Sequence, residues 1–322
     1  MQNRSTSTSV SIVVATHNRA ALLAETLGAI AAQRHRPLEV LVVDDGSTDA
    51  TEDVVARAAA SARRAEGPEI RYLRQGNAGP AAARNRGLAA ARGAAVLFSD
   101  DDDVMAPGAV AALAAALEAQ PAAGIACAAH AAMAADGTPD PRIRRPEPAE
   151  GAQAAAAMIA GEWFVPLHGY LFRRAALEAA GRWDHRLRSQ EDDALLLSAA
   201  LSGARFHAAP RALVFYRQHA GPRRSAGACD LRLEDDVAIR LSAWRRLQRE
   251  GRLERFSAAF GAWHRRLMAR YGELLETLDG EAAALVRWAS AQESDIAAPA
   301  DPLAHWIVPT GAKPRQPAPR VN

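Results

Sequence analysis

Residues 10–19, VSIVVATHNR, and residues 38–51, LEVLVVDDGSTDAT, decide the fold. Each opens on a short β-branched and aliphatic run and then breaks into polar residues. Runs this apolar fit strands buried on both faces, as in a parallel sheet. The segment between them, residues 20–32, has helical composition, so the order strand, helix, strand makes a βαβ unit. Working outward, the pattern predicts strands at residues 10–15, 38–43, 70–73 and 94–98. Helices are expected at 20–32, 48–62 and 80–90, with Ser47 or Asp49 as an N-cap and Pro80 at a first helical position. A helix at 107–119 and a strand at 124–129 follow, then a loop at 136–150 rich in Pro and Arg. From 158 to 217 short strands (165–172, 205–207, 212–216) mix with helices (174–180, 192–201). After Cys229 the pattern is helical to about Ser294, and a proline-bearing tail closes the chain. No internal repeat is present.

The domain organisation expected from this is a unit over residues 1–220, with halves at about 10–105 and 106–220. A helical region at 221–295 and a Pro-rich tail at 296–322 complete it. A chain of 322 residues, 49% hydrophobic and 24% charged, can bury a large core and excludes a disordered protein. The net charge of +2 is too small to point to nucleic acid. Lys313 is the only lysine, so the positive charge is almost wholly arginine. Cys127 and Cys229 make no disulfide framework and have no metal-site spacing, which fits a reducing cytoplasm. The polar start, Met1–Ser9, and the lack of a long apolar run predict a soluble or peripheral protein.

Chemistry gathers at the predicted strand ends, where open α/β sheets bind ligands. Thr16-His17-Asn18-Arg19 follows the first strand and Asp44-Asp45-Gly46-Ser47-Thr48 the second. Adjacent aspartates there can accept hydrogen bonds from a base and a ribose, or can serve only turn and cap chemistry. In the stretch 76–87, GNAGPAAARNRG, glycines precede a helix and can bring backbone N–H groups to a ligand. Arg84, one turn inside, can reach a phosphate or lie on a solvated face. The stretch 98–104, FSDDDDV, carries most weight. Four carboxylates directly after a buried strand repel one another unless a cation neutralises them, and hard oxygen ligands select Mg2+ or Mn2+. Asp100 and Asp102 should converge while Asp101 points elsewhere. Residues 188–193, RSQEDD, lead into an apolar helix. They can supply a general base or merely complement the helix dipole. The last cluster, YRQH at 216–219, ends on a histidine able to act as a metal or phosphate ligand or to be structural.

With these residues in hand, the chain resembles the family 2 inverting glycosyltransferases. VSIVVATHNR, LEVLVVDDGSTDAT, GNAGPAAARNRGL, ARGAAVLFSDDDD, HGYLFRRAALEAAGRWD and SQEDDALLLSAAL occur in the family's order across residues 10–219. The resemblance implies an α/β fold of the GT-A nucleotide-diphospho-sugar transferase type, with a mainly parallel central sheet flanked by helices and a helical C-terminal region. It implies inverting transfer of a sugar from a nucleotide-sugar donor, UDP-sugar favoured, to a sugar, lipid-linked or small-molecule acceptor, in the biosynthesis of cell-surface polysaccharide or glycoconjugate. Thr16, Asn18, Arg19, Asp44, Asp45, Arg84, Asp100 and Asp101 are then expected at the donor. Asp102, Asp103 and His219 are expected at Mg2+ or Mn2+, with Asp100 and Asp102 matching the Asp-x-Asp element. Asp192 is expected as the base with Glu191 beside it, and Trp163, His168 and Gly169 on the acceptor side. The family usually has a small residue where this chain has Asp101. The Gln-x-x-Arg-Trp element of processive synthases is absent, so single addition is expected.

Two rivals remain. A nucleotidyltransferase should carry a Gly-rich basic loop after its first strand, where this chain has ATHNRAALL. A non-catalytic nucleotide-sugar-binding protein would use the same site without turnover. Between residues 217 and 270 the chain holds 13 arginines against 6 acidic residues. That excess predicts peripheral contact with an anionic membrane, or a solvated helical bundle.

Overall fold

The computed structural model describes residues 7–218 and 229–293. One eight-stranded sheet runs in the order β3-β2-β1-β4-β7-β6-β8-β5. Strands β1 (Val10–Thr16), β2 (Leu38–Asp44), β3 (Glu69–Arg74) and β4 (Ala95–Ser99) pair in parallel through helices α1 (Ala20–Ala31), α2 (Thr51–Arg64) and α3 (Pro80–Ala90). The second half adds β5 (Val104–Met105), α4 (Ala109–Ala119), β6 (Ile125–Met133), α5 (Gly151–Ala160), β7 (Tyr170–Arg173), α6 (Arg174–Ala180), α7 (Glu191–Leu201) and β8 (Phe206–Arg217). β7 lies antiparallel between β4 and β6, while β6 and β8 are parallel. This is the mixed α/β architecture expected, with the parallel half carrying the first two motif clusters.

Strand alternation sorts the core into two layers. Ile12 and Val14 of β1, Val40 and Val42 of β2, and Leu97 of β4 face α1, α2 and α4. Val13, Leu41, Val43, Val96 and Phe98 face the other side, covered by α3, α5, α6 and α7. Gly87 is where α3 comes closest to the sheet: a Cβ there would stand 2.3 Å from Val13 Cγ1.

The C-terminal helices α8 (Cys229–Arg249), α9 (Ser257–Tyr271) and α10 (Gly280–Ser290) join the second layer. Leu233, Val237, Phe260, Trp263 and Leu285 are buried in the same core as α5 and α7. Several of their arginines are occupied by this docking. Arg240 Nη2 donates to the Met158 carbonyl at the end of α5, and Arg246 and Arg252 reach the carbonyls of Ser198 and Leu201 at the end of α7. Arginines are thus satisfying the open carbonyls of helix C-termini, as the dipole favours. Arg249, Arg255 and Arg270 are exposed. Among the described residues no helix is long and apolar enough to cross a membrane.

The loop expected at 136–150 is present, and α5 follows it directly from a reciprocal capping box of Glu150 and Gln153. Three expectations are corrected by the structure. The expected strand at 165–172 shortens to β7, preceded by a 3-10 turn at Leu167–Gly169. The two short strands at 205–207 and 212–216 are one strand, β8. They look separate because Ala209 and Leu213 oppose consecutive residues of β6, with Pro210 in the extra segment where it removes no ladder bond. Neither Ser47 nor Asp49 is the N-cap of α2, whose cap position is Ala50. Ser47 Oγ instead accepts from the Asn18 amide, and Asp49 joins the starts of two helices by accepting from Ala20 N and Thr51 N.

Candidate active site

The ends of β1, β2 and β4 lie side by side, and the first three motif clusters touch one another there. β1 delivers Thr16, and Asn18 follows in the left-handed region at φ 53. Asn18 Oδ1 accepts from the Thr48 amide, so the turn after β1 is tied to the turn after β2. Asp44 is buried and accepts from the Ser47 amide at 2.7 Å and the Tyr72 hydroxyl at 2.6 Å. Burial raises its pKa, but the Ser47 and Tyr72 bonds outweigh that and leave it lowered. Gly46, at φ +81, lets the chain turn back at this point.

Asp45 has a part that sequence reasoning missed. Its carboxylate accepts from Ala78 N at 2.9 Å, Gly79 N at 2.8 Å and Gln75 Nε2 at 2.8 Å. The N–H groups of the glycine-bearing loop therefore grip a protein carboxylate, and Asp45 fixes the start of α3 against β2. The Asp-Gly turn next to a strand end was the available signal, but its partner lies more than thirty residues away.

The aspartates after β4 divide. The chain turns at Asp101 and Asp102 rather than extending, and Asp103 leads into β5. Ligand-capable oxygens of Asp100, Asp102 and Asp103 all lie within 4.8 Å of one another. Asp101 points away from this trio. It is buried, accepts from Thr16 Oγ1 at 2.7 Å and sits 3.2 Å from Arg19 Nη1. Burial and neighbouring Asp102 push it up to about 7 against the pull of Thr16 and Arg19. Thr26 Oγ1 lies within hydrogen-bond distance of the Asp101 and Asp103 carbonyls, and the Arg217 amide donates to Asp103 Oδ1. The loop is thereby held from α1 and from β8.

Each carboxylate of the trio has a cationic neighbour. Arg84 Nη2 lies 2.7 Å from Asp100, Arg19 Nη1 lies 2.8 Å from Asp102, and His168 Nδ1 lies 3.0 Å from Asp103 Oδ2. Burial opposes protonation of His168, yet Asp103, Asp100 and Asp102 prevail and raise its pKa. Burial also pushes Asp103 up, with His168 pulling against it. Three hard oxygen donors on one short loop, close enough to repel, fit a divalent cation such as Mg2+ or Mn2+.

The RSQEDD cluster meets the acidic loop through Arg84 from the second half of the chain. Arg84 Nη1 donates to Glu191 Oε1 at 2.8 Å while its other arm holds Asp100, and its guanidinium stacks 4.6 Å from the Trp183 ring centroid. Burial works against the charged Arg84, and Asp100, Glu191 and Asp192 more than compensate, so its pKa is raised. Asp192, in the first turn of α7, is pushed up to about 7 by burial and by Asp193 and Glu191, with Arg84 pulling the other way. A carboxylate in that range is suited to take a proton near neutral pH.

The residues expected on the acceptor side do not gather. Trp163 donates through Nε1 to the Tyr170 hydroxyl and packs edge-on against Phe206. His168 is fully buried beneath the aspartate loop, and Gly169 is buried where a Cβ would meet Val165 at 2.7 Å. His219 lies outside the described residues.

This sheet, with polar turns at the ends of its parallel half and an acidic loop closing β4, is the GT-A architecture of nucleotide-diphospho-sugar transferases. The family model for glycosyl transferase family 2 matches residues 11–181, over half of the chain, and the chain belongs to that family. It is 37% identical over 98 residues to an uncharacterized glycosyltransferase of Nostoc sp., covering 30% of this chain and 29% of that one. It is 36% identical over 106 residues to the GalNAc(5)-diNAcBac-PP-undecaprenol beta-1,3-glucosyltransferase of Campylobacter jejuni, covering 32% and 33%. The match thus spans about a third of the length of these curated relatives. In structure it is similar to S. aureus TarS 1–349 in complex with UDP-GlcNAc, with a TM-score of 0.62 at 20% identity over 88% of both chains. It is also similar to the mannosyltransferase PcManGT of Pyrobaculum calidifontis in complex with GDP-Man and Mn2+, with a TM-score of 0.54 at 23% identity over 89% of this chain and 81% of the other.

Proposed function

We propose that the chain transfers a sugar from a nucleotide-diphosphate sugar to an acceptor hydroxyl by one displacement that inverts the anomeric carbon, adding a single residue. The observation that carries this reading is Arg84, which joins Asp100 of the acidic loop to Glu191 and so brings that loop beside the start of α7, next to Asp192. Asp192 takes the acceptor proton as its oxygen attacks, and the bond to the diphosphate breaks. Glu191, paired with Arg84, orients the start of α7. Asp100, Asp102 and Asp103 would hold Mg2+ or Mn2+, which supplies charge neutralisation for the departing diphosphate when bound. Thr16, Asn18, Arg19, Asp44 and Asp45 shape the nucleoside end, with Asp101 bracing Thr16 and Arg19 from below.

Support for a nucleotide-sugar donor comes from the fold shared with the TarS complex with UDP-GlcNAc and the PcManGT complex with GDP-Man. The acceptor is a sugar, lipid-linked or small-molecule hydroxyl. Peripheral membrane contact, if the chain makes it, falls to exposed arginines such as Arg249, Arg255 and Arg270. Thermal stabilisation by a panel of nucleotide-sugars with Mn2+, followed by release of nucleoside diphosphate, tests the reading. Binding without release would make the protein a nucleotide-sugar-binding module instead, and no binding would remove both.

A further inference from the structure

We infer that Asp235, on the C-terminal helix α8, is a positioning residue that holds the loop presenting the Asp192 base. The inference rests on the reading of Asp192 given above and assigns a catalytic purpose to a helix outside the stretch matched by the family model.

One oxygen, Asp235 Oδ2, accepts from three donors: Arg188 N at 3.0 Å, Ser189 N at 2.6 Å and Ser189 Oγ at 2.9 Å. Both Asp235 and Ser189 are buried. A buried carboxylate that accepts this many short bonds acts as a strong local clamp, because charge-assisted bonds strengthen where water is excluded. The clamp is placed immediately before a backbone outlier. Gln190 occupies the left-handed region at φ 57, which is uncommon for a residue with a side chain, and it forms the cap position of α7. Such a conformation persists only where its surroundings over-determine it. Its side chain is also tied to α8, since Gln190 Nε2 donates to the Arg232 carbonyl. Glu191 and Asp192 begin α7 directly after this turn.

α8 is itself fixed. Asp236, the next residue, accepts from Trp263 Nε1 on α9 at 2.9 Å and pairs with Arg240 at 2.6 Å, and Arg240 reaches the end of α5. A rigid helix thus grips the loop on one side of the strained turn while Arg84 grips Glu191 on the other. The groups set against Asp192 include Glu191 and Asp193 on its own helix, Arg84 on α3, Asp100 after β4 and Tyr170 on β7. Releasing the clamp lets the first turn of α7 move away from Arg84 and toward solvent.

The test uses the full chain and the wild type, Asp235→Ala, Asp235→Asn, Ser189→Ala and Asp192→Asn variants. Release of nucleoside diphosphate is followed with Mn2+ and whichever of UDP-GlcNAc or GDP-mannose is turned over. Asp235→Ala should lower kcat by on the order of ten- to a hundredfold through misplacement of the base, with the donor KM nearly unchanged. Asp235→Asn, which keeps one neutral acceptor oxygen and the packing, should recover part of the loss. The rise of rate with pH should move down toward the ordinary carboxylate range in Asp235→Ala, a shift that a purely structural role would not cause. Amide exchange at residues 188–192 should quicken while the rest of α7 stays protected. If Asp235→Ala fails to fold, Asp235→Asn and Ser189→Ala carry the same expectations at smaller size. A wild-type kcat, pH profile and exchange pattern in these variants, with Asp192→Asn inactive, overturns the inference and leaves the base assignment standing. Full activity in Asp192→Asn overturns both.

Discussion

The guanidinium of Arg84 donates to Glu191 at 2.8 Å across 107 residues of sequence, with both side chains only 7% exposed. The same guanidinium holds Asp100. Replacing it takes a cationic partner from the buried Glu191, which costs about 3 kcal/mol. Arg84→Ala is therefore expected to lower the urea midpoint clearly as well as abolish turnover. Arg84→Lys should also fail, because one ammonium cannot span two carboxylates as a planar fork does.

Asp192→Asn is expected to reduce turnover on the order of a hundredfold or more while donor binding survives. Calorimetric titration with nucleoside diphosphate and Mn2+ beside a turnover assay separates the two. Equal loss of binding and turnover would count against Asp192 as base.

The pH dependence has opposite signs for rate and for stability. Asp192 is pushed up to about 7, so wild-type turnover should rise as pH passes through about 7 and the base loses its proton. For stability the folded state binds this proton more tightly than the unfolded chain, whose aspartates keep the ordinary value of 3.8. That contribution is present in full below the unfolded value and is lost as pH rises through the folded one. Asp192→Asn should accordingly raise the melting temperature above pH 7 relative to wild type and give no such advantage below pH 4. An equal change at both pH values would show that Asp192 is not raised.

Asp102→Ala is expected to weaken donor binding measured with Mn2+, and a chelator should stop turnover in the wild type. Undiminished turnover in chelator would remove the cation from the reading.

Gly87→Ala tests the packing of α3 on the sheet. Alanine is the better helix former by about 1 kcal/mol, but its Cβ would stand 2.3 Å from Val13 and overpacking costs about 1–3 kcal/mol. Net destabilisation is expected by chemical denaturation, and a more stable variant would mean that the helix can shift without cost.

The parallel half was legible because its signal is local. Val10–Thr16 and Leu38–Asp44 are apolar on both faces and end in chemistry, so strand, turn and ligand-facing residues could be read together. Asp100 and Asp102 do converge with Asp101 turned aside, but through a turn at Asp101 and Asp102 and not through the strand alternation that the expectation assumed. What stayed hidden depends on contacts far apart in sequence. Asp45 gripping Gly79, His168 lying under Asp103 and Asp235 holding Ser189 leave no trace in a window of ten residues. Alanine weakened the rest: it favours helix but marks no apolar face, so α5 carries little periodic signal beyond the Glu150 and Gln153 cap. β5 is two residues long and exists because β8 offers it a partner.

The positive groups set against Asp100, Asp102 and Asp103 bear on the order in which ligands arrive. Because Arg84 and Arg19 already balance part of the acidic loop's charge, with His168 set against Asp103, a bare ion gains less by entering it. A nucleotide that brings its own oxygens to the ion tips that balance. On the function proposed above, cation and nucleotide would then enter together as one complex, and a divalent ion offered alone should register only weakly.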